Sequence, residues 1–263
     1  MTAQEIITLI RQNVGVPWNE KTFRDIFKVG NPDVQVKGIA VTCMSTFDTI
    51  QRSHAAGTNL VISHEPTFWS DSDDVKDIAQ DPVYKIKSDY CLKNDMVVWR
   101  FHDHWHARKP DMEHWGTLHA MGLGPAELSQ YSGQEAVYTI PETTLSELAS
   151  RVRSRLHGNA FRVVGDPSAK VSRIAFGVGS GMPRFSKDVD VVIGGEAAEI
   201  GGADNMGYAL DATSLGMAKG FITLGHVVSE EPGMEYAATW LKTFLPGLPI
   251  GFIPAKEPFW NLD

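Results

Sequence analysis

Apolar and polar positions alternate along the chain in blocks whose period changes from helical to strand-like and back. Residues 3–13 carry apolar side chains at helical spacing and predict a first helix. Val34 to Met44 is a β-rich run closed by Ser45 and Thr46, a polar pair able to cap the helix predicted over Phe47 to Ala56, which Gly57 stops. Asn59 to Ser63 is a short apolar strand that runs into His64, Glu65 and Pro66, where proline ends ladder donation. A helix is predicted over residues 82–94. Met96 to Phe101 then forms a buried strand that delivers His102, Asp103, His104, Trp105 and His106. Strand, helix, strand, helix, strand implies a parallel sheet with right-handed crossovers.

The second half repeats the theme. The pattern predicts a helix over 143–157, a β-rich run from Val171 to Val178, and a strand from Val189 to Ile193 that enters Gly194, Gly195 and Glu196. A helix over 206–216 precedes the strand Phe221 to Leu224, which ends in Gly225 and His226, and a last helix continues to about Phe244. Residues 122–135, rich in Gly, Pro and Ser, read as the connection. The expectation is an α/β chain of two lobes with mixed or mostly parallel sheets. The N-terminal α/β lobe covers 1–125, with room for part of the C-terminal segment, and the C-terminal α/β lobe covers 126–263. Polar residues follow short apolar strands in both halves, and open α/β sheets gather ligands outside the carboxyl ends of their strands.

Composition narrows the function. At 263 residues and 43% hydrophobic, the chain can fill one large core or two smaller ones. Its net charge of -8, from 24 basic and 32 acidic residues, leaves no general attraction for phosphate backbones or anionic lipid, so neither nucleic acid nor membrane is expected as a partner. The N-terminus is amphipathic, with Glu5 and Arg11 inside it, and does not read as a signal peptide. No apolar run approaches a membrane span, and Cys43 and Cys91 are the only cysteines, which together imply a reducing, cytoplasmic setting.

Nine histidines bring in chemistry, four of them (His102, His104, His106 and His114) within one short segment. Imidazole and carboxylate together suit zinc, iron, manganese and nickel. Any isolated histidine is as well read as a core or surface group. However, His64, His102 and His226 each follow an apolar strand, and each lies near a carboxylate: Glu65, Asp103 and Glu230. His226 and Glu230 are four apart where strand turns into helix, so both can face one point. The plainer reading of that pair is a helix capped by Ser229, with Glu230 as a first-turn carboxylate favoured by the helix dipole. Glu196 and Glu199 read as helix-start carboxylates, as partners of a ligating histidine, or as neither.

Two stretches resemble a known family. Val41-Thr42-Cys43-Met44-Ser45-Thr46, followed after a helix by Asn59-Leu60-Val61-Ile62-Ser63-His64-Glu65-Pro66, resembles the strand, helix, strand, His-His-Pro entry of the NGG-one-interacting-factor-three-like proteins. These are also called GTP cyclohydrolase I type 2 homologues or dinuclear metal centre proteins. Gly225-His226-Val227-Val228-Ser229-Glu230 is similar to that family's C-terminal Gly-His, three residues, Glu motif. The resemblance runs over nearly the whole chain. It implies two divalent metal ions (Zn, Fe, Mn or Ni) in a cleft between the two lobes, with His64, Glu65, His102, His106, His226 and Glu230 as ligands. Glu65 stands where the family has a second His, and His106 where it has an Asp, so two ligands have exchanged type. The exchange passes the bridging role to Glu230 or Glu65, and Asp103 is a rival to His102 for the middle ligand.

A metal-dependent hydrolase of a small, nucleotide-like substrate is the activity this implies. His104, Glu196 and Glu231 are then candidates for proton transfer or support. There is no Gly-x-x-x-x-Gly-Lys-Ser/Thr loop to hold a triphosphate. Arg100, Arg108 and Lys109 are the local cations available to an anionic group, or are ordinary solvated surface. The alternative is a metal-binding regulatory or assembly protein without turnover. The resemblance also implies a homo-oligomer, a ring built from dimers, for which Trp105, Trp115, Trp240 and Trp260 offer apolar interface groups or, equally, core.

Overall fold

A computed structural model of the chain describes residues 1–123, 136–196 and 204–260. Most of the expected connection (124–135), the expected lobe boundary within it, and Glu199 lie outside the described residues. By contact the chain divides into two compact units, Met1–Met112 with Gly233–Ala255, and Glu113–Pro232 with Lys256–Asp263.

The first unit begins α1 (Ala3–Asn13), β1 (Phe27–Val29), β2 (Ile39–Thr42), α2 (Phe47–Ala55), β3 (Leu60–Ser63), α3 (Pro82–Lys93), β4 (Val97–Arg100) and α4 (Asp103–Ala107). A capping box between Thr2 and Glu5 starts α1, which buries Ala3, Ile6, Ile7 and Ile10 along one face. Thr46 caps α2 as its position predicts, and Gly57, at φ +80°, turns the chain out of that helix. Every residue of β2, β3 and β4 is buried, as suits parallel strands covered on both faces. Of the β-rich run from Val34, only Ile39 to Thr42 joins the sheet. Val34 and Val36 pair instead with the N-terminus, through Ala3 N–H to Val34 O and Val36 N–H to Met1 O.

The second unit opens in α5 (Met112–Ala120) and continues through β5 (Ala136–Thr144), α6 (Leu145–Leu156), β6 (Arg162–Gly165), β7 (Lys170–Phe176), β8 (Val191–Gly194), α7 (Asn205–Ser214) and β9 (Gly220–Thr223). It includes the first residues of α8 (His226–Lys242); from Gly233 to Ala255 the chain belongs to the first unit, which thereby includes β10 (Ile250–Phe252).

Each unit is built on one five-stranded mixed sheet, ordered β1-β4-β3-β2-β10 and β5-β7-β8-β9-β6. In the first, β10, β2, β3 and β4 are parallel and β1 is antiparallel; in the second, β7, β8 and β9 are parallel between antiparallel β5 and β6. The fold is therefore α/β with mixed sheets, as the element pattern implies.

In the first unit, Ala40, Ile50, Val61, Cys91, Met96 and Val98 form one core cluster. A separate aromatic run links Trp99, Phe101, Trp105 and Trp240, with ring centroids 5.0 to 6.1 Å apart. Trp105 and Trp240 are thus interior side chains and not the apolar surface offered above to another copy. Trp115 stacks on His119, and of these four tryptophans only Trp260 is largely exposed, at 78%. No helix among the described residues is long and apolar enough to cross a membrane.

Candidate metal centre

In-register pairing brings the first histidines together. Ser63 of β3 lies opposite Arg100 of β4, so His64 and His102, just past the two strand ends, emerge side by side with rings stacked 4.5 Å apart. One turn of α4 then places His106 4.7 Å from His102 and 4.9 Å from His64, centroid to centroid. Each of the three offers a nitrogen, and these nitrogens all lie within 4.8 Å of one another.

Each ring is also oriented from behind. His64 Nδ1–H donates to Phe101 O at 3.1 Å, His102 Nδ1 pairs with Asp103 Oδ1 at 3.0 Å, and His106 Nδ1 pairs with Asp111 Oδ2 at 2.8 Å. An acceptor on Nδ1 makes Nε2 the lone-pair nitrogen, the arrangement by which metal-ligating imidazoles are held. His64 Nε2 and His106 Nε2 stand 3.2 Å apart. Two neutral imidazoles in these tautomers meet lone pair to lone pair, so the contact needs a proton or a cation. Two nitrogens on one tetrahedral zinc, with bonds near 2.0–2.1 Å, are separated by about 3.3 Å. The donor set and its spacing therefore fit a metal ion.

Electrostatics point the same way. Complete burial pushes the His64 imidazole well below its ordinary pKa, and His102 and His106 push it further, while the bond to Phe101 O pulls it up. His64 is thus neutral, the form that ligates. Asp103 is held well below the usual carboxylate range, first by its hydrogen bond from His102, then by Thr22 and Arg24, although burial opposes this. Its oxygens serve His102 Nδ1, Thr22 Oγ1 and Arg24 Nη1, and in this arrangement it orients the His102 ring.

A carboxylate oxygen of Glu65 lies within 4.8 Å of a His64 nitrogen, and another contact, 3.9 Å, runs to Arg100 Nη2. Arg100, considered above for an anionic group, is only 1% exposed. Its Nε donates to His64 O at 2.9 Å, and its Nη1 and Nη2 donate to Asp71 O and Oδ1 at 2.5 and 3.1 Å. It braces the His64 backbone. Arg108 lies over the rings of Trp105 and Trp240, 5.1 and 5.2 Å from their centroids, and Lys109 is exposed.

The second unit carries His226 and Glu230. After β9, Gly225 at φ +91° turns the chain, and α8 starts at His226 itself. His226 Nε2 is 3.1 Å from Glu230 Oε2, four residues on, and His226 Nδ1 pairs with Glu196 Oε1 at 2.5 Å. Glu196 is therefore the orienting partner of His226. Glu230 is buried, and lies against Gly179. The helix cap expected of Ser229 is not formed, because α8 begins three residues earlier. Ser229 Oγ instead donates to His226 O at 2.7 Å and accepts Gly179 N–H at 2.8 Å.

His104 and Glu231 fall outside these ligand clusters: both ring nitrogens of His104 bond within the first unit, and Glu231 Oε1 accepts Lys256 N–H. His114 packs edge-on to Phe176 in the second unit. Asp111 and Asp25 escape sequence reasoning. Asp111 has only its place five residues after His106 to recommend it, and Asp25 precedes the histidine cluster by 77 residues and carries no local signal.

A mixed-sheet α/β chain with strand-end histidines, each backed by a carboxylate or carbonyl, is the class of protein these features define. The chain belongs to the Duf34/NIF3 (NGG1p interacting factor 3) family, whose sequence profile matches residues 1–258. Its fold is similar to that of the hypothetical protein SA1388 of Staphylococcus aureus, at 17% identity and TM-score 0.72, covering 100% of this chain and 99% of that one. It is similar also to a Bacillus cereus protein related to NIF3 (16% identity, TM-score 0.71, 100% and 99% covered) and to reduced HcgD of Methanocaldococcus jannaschii (18%, 0.65, 98% and 98%). No curated protein matches the sequence.

Proposed function

We propose that this chain is a metal-dependent hydrolase of a small substrate, with two divalent ions held by His64, Glu65, His102, His106, His226 and Glu230. The observation that carries this reading is the convergence of three imidazoles whose Nδ1 atoms all bond backward, with two Nε2 atoms 3.2 Å apart. Divalent ions bound by such residues supply Lewis-acid polarisation for hydrolysis. The protein's own part is to keep His64 neutral, to hold His226 through Glu196, and to bring the carboxylates of Glu65 and Glu230 to offset the ions' charge.

The commitment of Arg100 to His64 O and Asp71 favours a substrate of modest charge over a triphosphate. It equally suits a protein that binds metal for assembly or regulation, because a guanidinium spent on the backbone stabilises a site and recruits nothing.

Elemental analysis of protein purified without an affinity tag tests the metal reading. Up to two equivalents of transition metal per chain are expected, and loss of that metal in the combined His64→Ala and His226→Ala variant. Wild-type metal content in the double variant would place the ions elsewhere. A screen of phosphoesters, nucleotides and cyclic amides, with and without added metal, then separates the two functions. Metal-dependent turnover supports the hydrolase, and bound metal without turnover on any of them supports the assembly or regulatory protein.

A further inference from the structure

We propose that Asp25 is a positioning residue for the metal site of the first unit, holding the turn that carries His102 and His106 in ligating geometry. The proposal rests on the reading of those histidines as ligands.

α4 has five residues, and His102 at its N-cap makes no side-chain cap bond. A helix this short does not sustain itself, because nucleation costs more than a few hydrogen bonds return. Its unpaired N-terminal amides are taken up by one buried carboxylate. Asp25 Oδ1 accepts His102 N–H at 2.5 Å and Asp103 N–H at 3.0 Å, and Oδ2 accepts His104 N–H at 2.9 Å and the His104 ring Nδ1–H. Three consecutive amides and one imidazole thus converge on a side chain from a remote part of the sequence.

The far edge of His104 is held as firmly. Asn19 N–H donates to His104 Nε2 at 2.8 Å, and Trp18 stacks on the ring at 3.6 Å with the planes 4° apart. Both nitrogens of His104 are engaged, so it is a bolt between the Trp18–Asp25 segment and α4 and carries no proton to a substrate. The same segment reaches the His102 ring by a second route. Thr22 Oγ1 and Arg24 Nη1 donate to Asp103 at 2.7 and 3.2 Å, and Asp103 in turn holds His102 Nδ1. Asp25 sets where the His102 backbone sits, and Asp103 sets how its ring is turned.

The test uses full-length protein, Co²⁺ as probe, and Asp25→Asn. An amide in place of the carboxylate loses two of the four acceptor contacts and turns an N–H₂ toward donors. The expected result is a folded protein by circular dichroism whose Co²⁺ affinity at the His64, His102 and His106 site falls about 10–100-fold, with an altered Co²⁺ visible spectrum. Wild-type affinity and spectrum in Asp25→Asn would overturn the proposal while leaving the ligands in place. Failure of the wild type to bind Co²⁺ would remove the ligand reading, and this proposal with it. A second measurement needs no variant: in metal-free wild-type protein the amides of His102, Asp103 and His104 should exchange slowly with solvent and the His104 Nδ1 proton should be observable by NMR. Fast exchange of all three amides would show that Asp25 does not hold the turn, and would overturn the proposal even if Asp25→Asn fails to fold.

Discussion

Gly179 lies against Glu230 so closely that a β-carbon built on it would overlap the carboxylate Oε1 and stand 3.0 Å from His226 Nε2. Its φ of +55° is a left-handed conformation that other residues adopt at a cost of about 1–2 kcal/mol. Both constraints select glycine, and both act where His226 and Glu230 meet. Gly179→Ala should therefore lose stability by about that amount and take up less metal, because the added methyl displaces a proposed ligand. Denaturant titration and metal analysis of the same preparation check this, and unchanged values for both would show that the loop yields without disturbing Glu230.

Glu196 tests how much the orientation of His226 matters. Its carboxylate receives His226 Nδ1–H, which leaves Nε2 toward Glu230. Partners of this kind are worth about 10–100-fold in metal affinity. Glu196→Gln retains a carbonyl acceptor and should fall at the mild end of that range, and Glu196→Ala at the severe end. Competition against a calibrated chelator would show the order; equal affinity in both variants and wild type would mean that Glu196 does not orient His226.

The sheet interiors were legible because their cause is local. β2, β3, β4, β7, β8 and β9 are all interior strands, and each lies within or largely within a predicted apolar run, since a strand flanked on both sides and covered on its faces needs continuous apolar residues. The four strands that escaped, β1, β5, β6 and β10, are all sheet edges. β1 and β10 have three residues each, and β5 contains Pro141 where its pairing register shifts. An edge is defined by a partner distant in sequence, as β10 is by β2. The site divides the same way. His64, His102 and His226 announce themselves by following strands, while Asp111 and Asp25 matter only through contacts made in the folded chain.

Alkaline stability offers a test independent of metal. Lys87 is 4% exposed, and desolvation lowers its pKa from 10.5 to about 8, while burial raises the neighbouring Cys91 thiol from 9.0 to about 11. Between pH 8 and 10.5 the unfolded chain keeps the Lys87 proton that the folded chain has released, so this group makes stability rise with pH. Between pH 9 and 11 the folded chain keeps the Cys91 proton that the unfolded chain has lost, so that group makes stability fall. The two oppose each other above pH 9, which leaves a window from pH 8 to 9 in which Lys87 acts alone. Compared with Lys87→Met, the wild type should gain stability across that window, at most about 1.4 kcal/mol per pH unit. Parallel unfolding curves of the two proteins at pH 8 and 9, with no relative gain for wild type, would contradict the burial cost assigned to Lys87.

The exchanged ligand types give the sharpest test of the proposed site. In the ligand pattern that the sequence resemblance implies, Glu65 would stand for a histidine and His106 for an aspartate, and both residues sit beside His64. A Glu65 oxygen is within 4.8 Å of a His64 nitrogen, and His106 Nε2 is 3.2 Å from His64 Nε2. Glu65→His alone removes an anion from the ligand set, and His106→Asp alone adds one, so each single change unbalances the charge offered to the ions. Made together they restore it. His106→Asp also shortens the side chain and abandons the bond to Asp111, whereas Glu65→His supplies a nitrogen close to His64. The double variant should therefore retain more metal than either single variant, read as equivalents per chain after dialysis against a fixed free-metal buffer. A double variant that binds no better than the worse single one would show that Glu65 and His106 do not serve a shared ion pair, and would leave His64 and His102, with Asp103 behind it, as the centre of the site.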